Sequence, residues 1–233
     1  MKQKQKRITI GLDLGERRHR FCALDGRGEV VDEGTLGNDR SSLAGLTVRY
    51  RGALAVMEAG AHSPWISRYL EGLGWEVIVS NPRKVRAIYQ HERKSDQRDV
   101  LMLARIGRMD RALLYPVRHS SEQGQQDLLR IKLRDSLVRS RVALINSVRF
   151  SLKSLGYTVG NPSSERFHKV AMETLPEVVR QIITPSVQGL AELSARIAVL
   201  EREISVLART KYPQTLWLQQ VPGVGTSRRF ILC

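Results

Sequence analysis

Cysteine is nearly missing from this chain. Its 233 residues contain two, Cys22 and Cys233, far apart and without partners at metal-ligand spacing. That gives neither a disulfide framework nor a zinc site. Long apolar runs are missing too. Hydrophobic residues make up 42% of the chain, enough for a real core, yet no run is long enough to cross a bilayer. The basic N-terminus, Met1–Arg7, leads into a β-type segment rather than a signal-peptide apolar region. The expectation is a cytoplasmic protein with no membrane partner. Its length suits one large domain, or one compact domain with a helical appendage.

Acidic residues are the third shortage. Asp and Glu number 23 against 38 Lys and Arg, a net charge of +15. The excess is uneven, because residues 81–153 hold 17 basic and 7 acidic side chains and so carry +10 of it. Clustered positive charge is the footprint of a nucleic-acid binder, since it exchanges for the counterions condensed on phosphates. The plain alternative is a solvated cationic surface.

What is present begins with strands. Ile8–Asp13, His19–Leu24 and Val30–Leu36 are strand-like runs, and Asp25-Gly26-Arg27-Gly28 between the last two signals a hairpin. Asn38 or Asp39 is placed to cap a short helix through Ser42, Leu43 and Leu46. Ala53–Met57 reads as a buried strand, Pro64 opens a helix to about Glu71, and Gly72-Leu73-Gly74 stops it. Glu76–Val79 is a further strand, and Asn81-Pro82 begins a basic helix toward Tyr89. A hairpin meander followed by alternating strands and helices predicts a mixed sheet flanked by helices.

From Asp96 onward the pattern is helical. Leu128–Leu155 carries the apolar series Leu133, Leu137, Leu144, Val148, Leu152 and Leu155, with basic residues on its other faces. Gly156 and Gly160-Asn161-Pro162 end it. A short segment around Glu173–Ile183 follows, with Pro176 and Pro185 as its limits. Then Leu190, Leu193, Ile197, Leu200, Ile204 and Leu207 alternate at three and four, a coiled-coil seam. That seam suits a hairpin with Leu128–Leu155. It equally suits self-association into a dimer or higher homo-oligomer through the 187–210 helix.

Four carboxylates stand out against this pattern. Asp13 lies where the first strand is about to end, and Glu58 directly follows Ala53–Met57. Ser95 is placed to cap a helix that has Asp96 in its first turn and Asp99 three residues on, along one face. Two acids at that spacing repel unless a cation or water compensates them. Oxygen donors without His or Cys suit magnesium or manganese, and two such ions suit in-line attack on a phosphodiester. The plainer readings are a turn aspartate ahead of Gly15, and helix-start acids interacting with the dipole.

These residues also carry a resemblance. Gly11-Leu12-Asp13-Leu14-Gly15, Met57-Glu58-Ala59, His62-Ser63-Pro64-Trp65, Asn81-Pro82 and Lys94-Ser95-Asp96-Gln97-Arg98-Asp99 together resemble the DEDD-type insertion-sequence transposases, relatives of the Piv/MooV DNA invertases. The likeness runs from Ile8 to Gly225. It implies an α/β RNase H/RuvC-like catalytic domain over 1–115, a helical coiled-coil region over 116–212, and the start of a C-terminal transposase domain over 213–233. It maps the catalytic, metal-holding acids onto Asp13, Glu58, Asp96 and Asp99, with Mg2+ or Mn2+ as cofactor. Donor and target DNA are the implied substrates and a bridge RNA the implied guide. Lys94, Arg130, Arg134, Arg141 and Arg149 would hold nucleic acid.

The sequence departs from that pattern in two places. Val100 stands where the family has alanine. Val221-Pro222-Gly223-Val224-Gly225 resembles the opening of the C-terminal domain, but Thr226–Cys233 does not continue it, and Ser227 is too near to be the family's serine nucleophile. The expectation is a truncated member that binds nucleic acid without completing strand exchange. A RuvC-like, Mg-dependent nuclease or junction resolvase is one alternative, and a non-catalytic nucleic-acid-binding remnant another. Actin-like sugar kinases share Asp13-Leu14-Gly15, but Glu16-Arg17-Arg18-His19 offers no anion nest after it.

Overall fold

The computed structural model describes residues 7–86 and 96–215. Lys94, the Ser95 cap, the basic stretch from residue 87 toward Tyr89, the Val221–Gly225 turn and Ser227 lie outside the described residues, as does the Asp96 side chain. The chain divides into two compact units, Met1–Ser120 and Ser121–Cys233.

The first unit holds a five-stranded sheet: β1 (Thr9–Leu14), β2 (Arg18–Leu24), β3 (Val30–Gly37), β4 (Leu54–Glu58) and β5 (Glu76–Ser80), in the order β3-β2-β1-β4-β5. β2 runs antiparallel to both neighbours, whereas β1, β4 and β5 are parallel. At the β2–β3 turn the Asp25 carboxylate accepts from the Arg27 and Glu29 backbone at 2.8 and 3.0 Å, and Gly28 takes φ 92°, which a side chain would resist. Asp39 caps α1 (Arg40–Arg49) by accepting from Ser42 N at 2.8 Å. The Ser41 and Ser42 hydroxyls hold its carboxyl down to about 2. α2 (Ser63–Gly72) has Pro64 in its first turn, and α3 (Pro82–Arg86) is a short helix after β5.

Alternation gives the sheet two distinct faces. Ile10, Leu12, Phe21, Ala55 and Met57 join Leu43 and Leu46 of α1 and Ile66 and Leu70 of α2 in one cluster. Leu54, Val56 and Ile78 point the other way, onto Leu103 and Ile106 of α4 (Asp96–Met109). Cys22 and Leu24 meet Val100 and Ala104 of the same helix. Beyond α4 the chain stays with the sheet, since Val117 N donates to Val79 O at 2.8 Å. Residues 116–120 therefore belong to the first unit.

The second unit is built from α5 (Glu122–Lys153), α6 (Phe167–Thr174) and α7 (Glu177–Thr210), with α5 packed along α7 and turn and coil between Ser154 and Arg166. Two expectations are corrected here. Pro185 lies inside α7 instead of ending a segment, and α7 starts after Pro176, so Glu173–Ile183 straddles a real break. The helix survives one missing N–H because Val179 and Val187 are buried on either side of an exposed Pro185. The second correction concerns phase. Leu133 and Leu155 are exposed, at 50% and 58%, while Ile131, Ile145, Val148 and Leu152 form the buried stripe. Asp127 and Arg141 lie in that stripe too.

Candidate functional site

Asp13 and Glu58 stand near the ends of adjacent parallel strands. Gly11 pairs with Val56 and Leu12 with Met57, so Asp13 and Glu58 are the next residues on β1 and β4. Each lies two positions past a residue covered by α4: Gly11 by Val100, and Val56 by Gly107. A period of two places both acids on the α4 side of the sheet. The far end of α4 sits at the β2–β3 turn, where Arg108 donates to Gly26 O. Its first turn, with Asp96 as first residue and a half-buried Asp99, is therefore at the acid end. Residues from β1, β4 and α4 thus gather at the carboxyl edge of the parallel strands, where ligands bind in open α/β sheets.

Among the described residues, no three His, Cys, Asp or Glu side chains form a group that could hold a metal ion. The donor chemistry fits one: Asp13, Glu58 and Asp99 offer hard oxygens with neither thiolate nor imidazole among them, which suits Mg2+ or Mn2+.

Several residues around the acids were not anticipated. Arg20 faces Asp13 across the β1–β2 ladder, and Arg18 and Arg20 are exposed positions of a strand whose Cys22 and Leu24 lie under α4. Alternation therefore puts both arginines on the acids' side, a signal present in the sequence of β2 itself. His19, on the opposite face, is fully buried and neither ring nitrogen has a hydrogen-bond partner among the described residues. Burial pushes its pKa below the ordinary histidine value, against a weaker pull from Asn38. The His62 ring lies 6.4 Å from it.

The loop that leaves Glu58 is held from its other side as well. Ser63 Oγ accepts from Gly60 N at 2.9 Å and sits 2.9 Å from His119 Nε2. Burial, then the nearby Arg68 charge, holds His119 below the usual value.

The cationic face expected on α5 is arranged differently, and that expectation is corrected for Arg141. It is 6% exposed, with Nη2 donating to Glu165 Oε1 at 2.8 Å and Nη1 to Ser194 Oγ at 3.3 Å. Arg134 bonds Glu201 and Asp135, and Arg130 pairs with Asp127 and Glu203. The Arg149 guanidinium lies over the Phe167 ring, 5.3 Å from its centroid. Except for Asp127 and Asp135, the partners come from α6, α7 or the loop before α6, which a reading of α5 alone does not reveal. Lys132, Arg139 and Lys153 are the exposed basic residues of this helix.

No helix among the described residues is long and apolar enough to cross a membrane. The family model for transposases of the DEDD, IS110 type matches residues 10–156. The chain is 24% identical over 223 residues to the transposase for insertion sequence element IS1111A of Coxiella burnetii, covering 93% of this chain and 59% of that protein. It is 28% identical over 207 residues to a probable family 20 transposase of Pseudomonas aeruginosa, covering 86% and 60%. The chain thus spans about 60% of the length of these relatives. Among solved structures, Thermus thermophilus RuvC aligns at 14% identity and TM-score 0.33, over 44% of this chain and 96% of that one. The sheet order, with its antiparallel second strand, makes the first unit an RNase H/RuvC-like α/β fold followed by helices.

Proposed function

The chain belongs to the DEDD transposases of the IS110 type, and from that premise we propose that Asp13, Glu58, Asp96 and Asp99 hold Mg2+ or Mn2+ for phosphodiester chemistry on donor and target DNA. The observation that carries this reading is the placement of Asp13 and Glu58 at neighbouring strand ends on the face that α4 covers, with Asp99 on the first turn of α4. When bound, such ions lower the pKa of an attacking oxygen and stabilise a leaving one. The chain's own residues prepare the ground for that. The acids concentrate negative charge at one edge of the sheet, Arg18 and Arg20 flank them to hold the DNA backbone, and the Ser63–His119 contact fixes the loop that follows Glu58.

Nucleic acid is also proposed to lie along the helical unit, with a guide RNA as the partner the family suggests. Exposed Lys132, Arg139 and Lys153, partly exposed Arg130, Arg134 and Arg149, and Lys94 would meet phosphates. Arg141 would not, because its donors are engaged inside the unit. Self-association would use the exposed Val199 and Val206 of α7, since Leu190, Ile197 and Ile204 are buried.

The test is strand breakage in a plasmid carrying the ends of the element, with Mn2+ present. Wild type should break strands, while Asp13→Asn and Asp99→Asn should retain DNA binding and lose breakage by about a hundredfold or more, as expected when a charge-stabilising group is removed. Equal breakage by wild type and Asp13→Asn would overturn the assignment.

A further inference from the structure

The second unit contains a cavity of about 580 Å³ between one face of α5 and the loop leading into α6. Its polar lining is Asn146, Arg149, Asn161, Ser163 and Ser164, and its apolar lining includes Val142, Ile145 and Phe167. The volume falls within the range of roughly 300–1,000 Å³ typical of small-ligand pockets. No acidic side chain lines it. Arg149 pairs with no carboxylate among the described residues: Nη2 donates to Gly160 O at 3.4 Å, its plane covers Phe167, and its buried Nε has no partner. Glu165, the nearest acid in sequence, is engaged by Arg141 and by the Ser163 hydroxyl.

A half-buried guanidinium whose Nη1 has no partner among the described residues, the Ser164 hydroxyl and two amides call for an anion that also accepts hydrogen bonds. A free anion would fill only the polar part and leave Val142 and Pro162 uncovered. We propose that this cavity takes one nucleotide of an unpaired strand, RNA or DNA. Its phosphate lies on Arg149 and Ser164, and its base lies against Val142 and Pro162 within reach of the Asn146 and Asn161 amides. A base stacked in a duplex cannot enter such a recess, whereas a splayed-out base can. The inference rests on reading the chain as a nucleic-acid enzyme, but it is independent of the acidic edge.

The test uses the full chain and fluorescein-labelled oligonucleotides of about 12 nucleotides: a single-stranded RNA, the same sequence as single-stranded DNA, and the DNA duplex, all followed by anisotropy. Arg149→Gln removes the charge. Ser164→Leu fills the cavity from the loop and leaves α5 untouched, and thermal melting by circular dichroism confirms that each variant folds. Each should weaken single-strand binding about tenfold, the loss expected for one charge-assisted contact, with duplex affinity nearly unchanged. A loss on RNA and DNA alike assigns base and phosphate recognition, and a loss on RNA alone adds the ribose hydroxyl. Unchanged single-strand affinity in both variants would overturn the proposal, as would an equal loss on the duplex. Strand breakage by Asp13→Asn in the plasmid assay reports on the acids alone, so failure at the acids and failure at this cavity give different results.

Discussion

At Gly11 a hydrogen occupies a place where a methyl would lie 1.9 Å from the Val100 carbonyl oxygen. Backbone cannot move aside as a side chain can, so Gly11→Ala should cost about 3 kcal/mol in urea unfolding. Gly107→Ala should cost less, because its nearest obstacle is the Val56 side chain at 2.4 Å. Gly45→Ala, with nothing within 4 Å on helix α1, should instead add about 0.5–1 kcal/mol. Gly11 was legible in the sequence only as part of a motif. The structure gives it a physical role, which is to let α4 bring Asp99 to the acid edge.

His19 belongs to the same scale. Its folded pKa is lowered by burial, so the unfolded chain takes up a proton more readily. Stability is therefore full above the unfolded value of about 6.5 and declines as pH falls below it. His119, lowered by burial and by Arg68, contributes in the same direction. The first unit should show a lower urea midpoint at pH 5.5 than at 7.5, and His19→Leu should shrink that difference. An undiminished difference in His19→Leu would rule out this source.

Between elements, the helical hairpin depends on polar layers within an apolar stripe. Asp127 is 2% exposed and receives bonds from Lys211, Tyr212 and Gln123, joining the start of α5 to the chain just after α7. Burial raises its pKa, yet those donors together outweigh burial and hold it below the usual aspartate value. Asp127→Asn should destabilise the second unit by about 2 kcal/mol at neutral pH, the scale of hydrogen bonds to a charged group. Because the folded pKa is lowered, the wild-type advantage should fade only as pH falls below about 4. A thermal melt of both forms at pH 7 and pH 3 reads this directly.

This same hairpin shows where sequence reading stops. The three-and-four repeat of α7 was visible, and Leu190, Ile197 and Ile204 are buried. In α5 the burial of Ile131 and Ile145 in place of Leu133 and Leu155 depends on how the partner helix sits. Glu165 and Ser194 decide the fate of Arg141 from 24 and 53 residues away. No local pattern in α5 encodes them.

For the molecule as a whole, the strands and their mixed sheet followed from local signals, an Asp-Gly hairpin, a Pro64 helix start and apolar strand runs, whereas the order β3-β2-β1-β4-β5 came only with the structure. The acids at strand ends were legible for the same reason. The cavity beside Arg149 was not, since its meaning comes from what packs beside it. The central claim is that Asp13, Glu58, Asp96 and Asp99 meet at one ion, and Fe2+-directed cleavage of the polypeptide tests it most directly. Fe2+ bound in place of Mg2+, with ascorbate and peroxide, should cut the backbone near residues 13, 58 and 96–99 together, and excess Mg2+ should suppress all three cuts. Cleavage at one of these places without the others, or cuts that Mg2+ leaves unchanged, would contradict the claim.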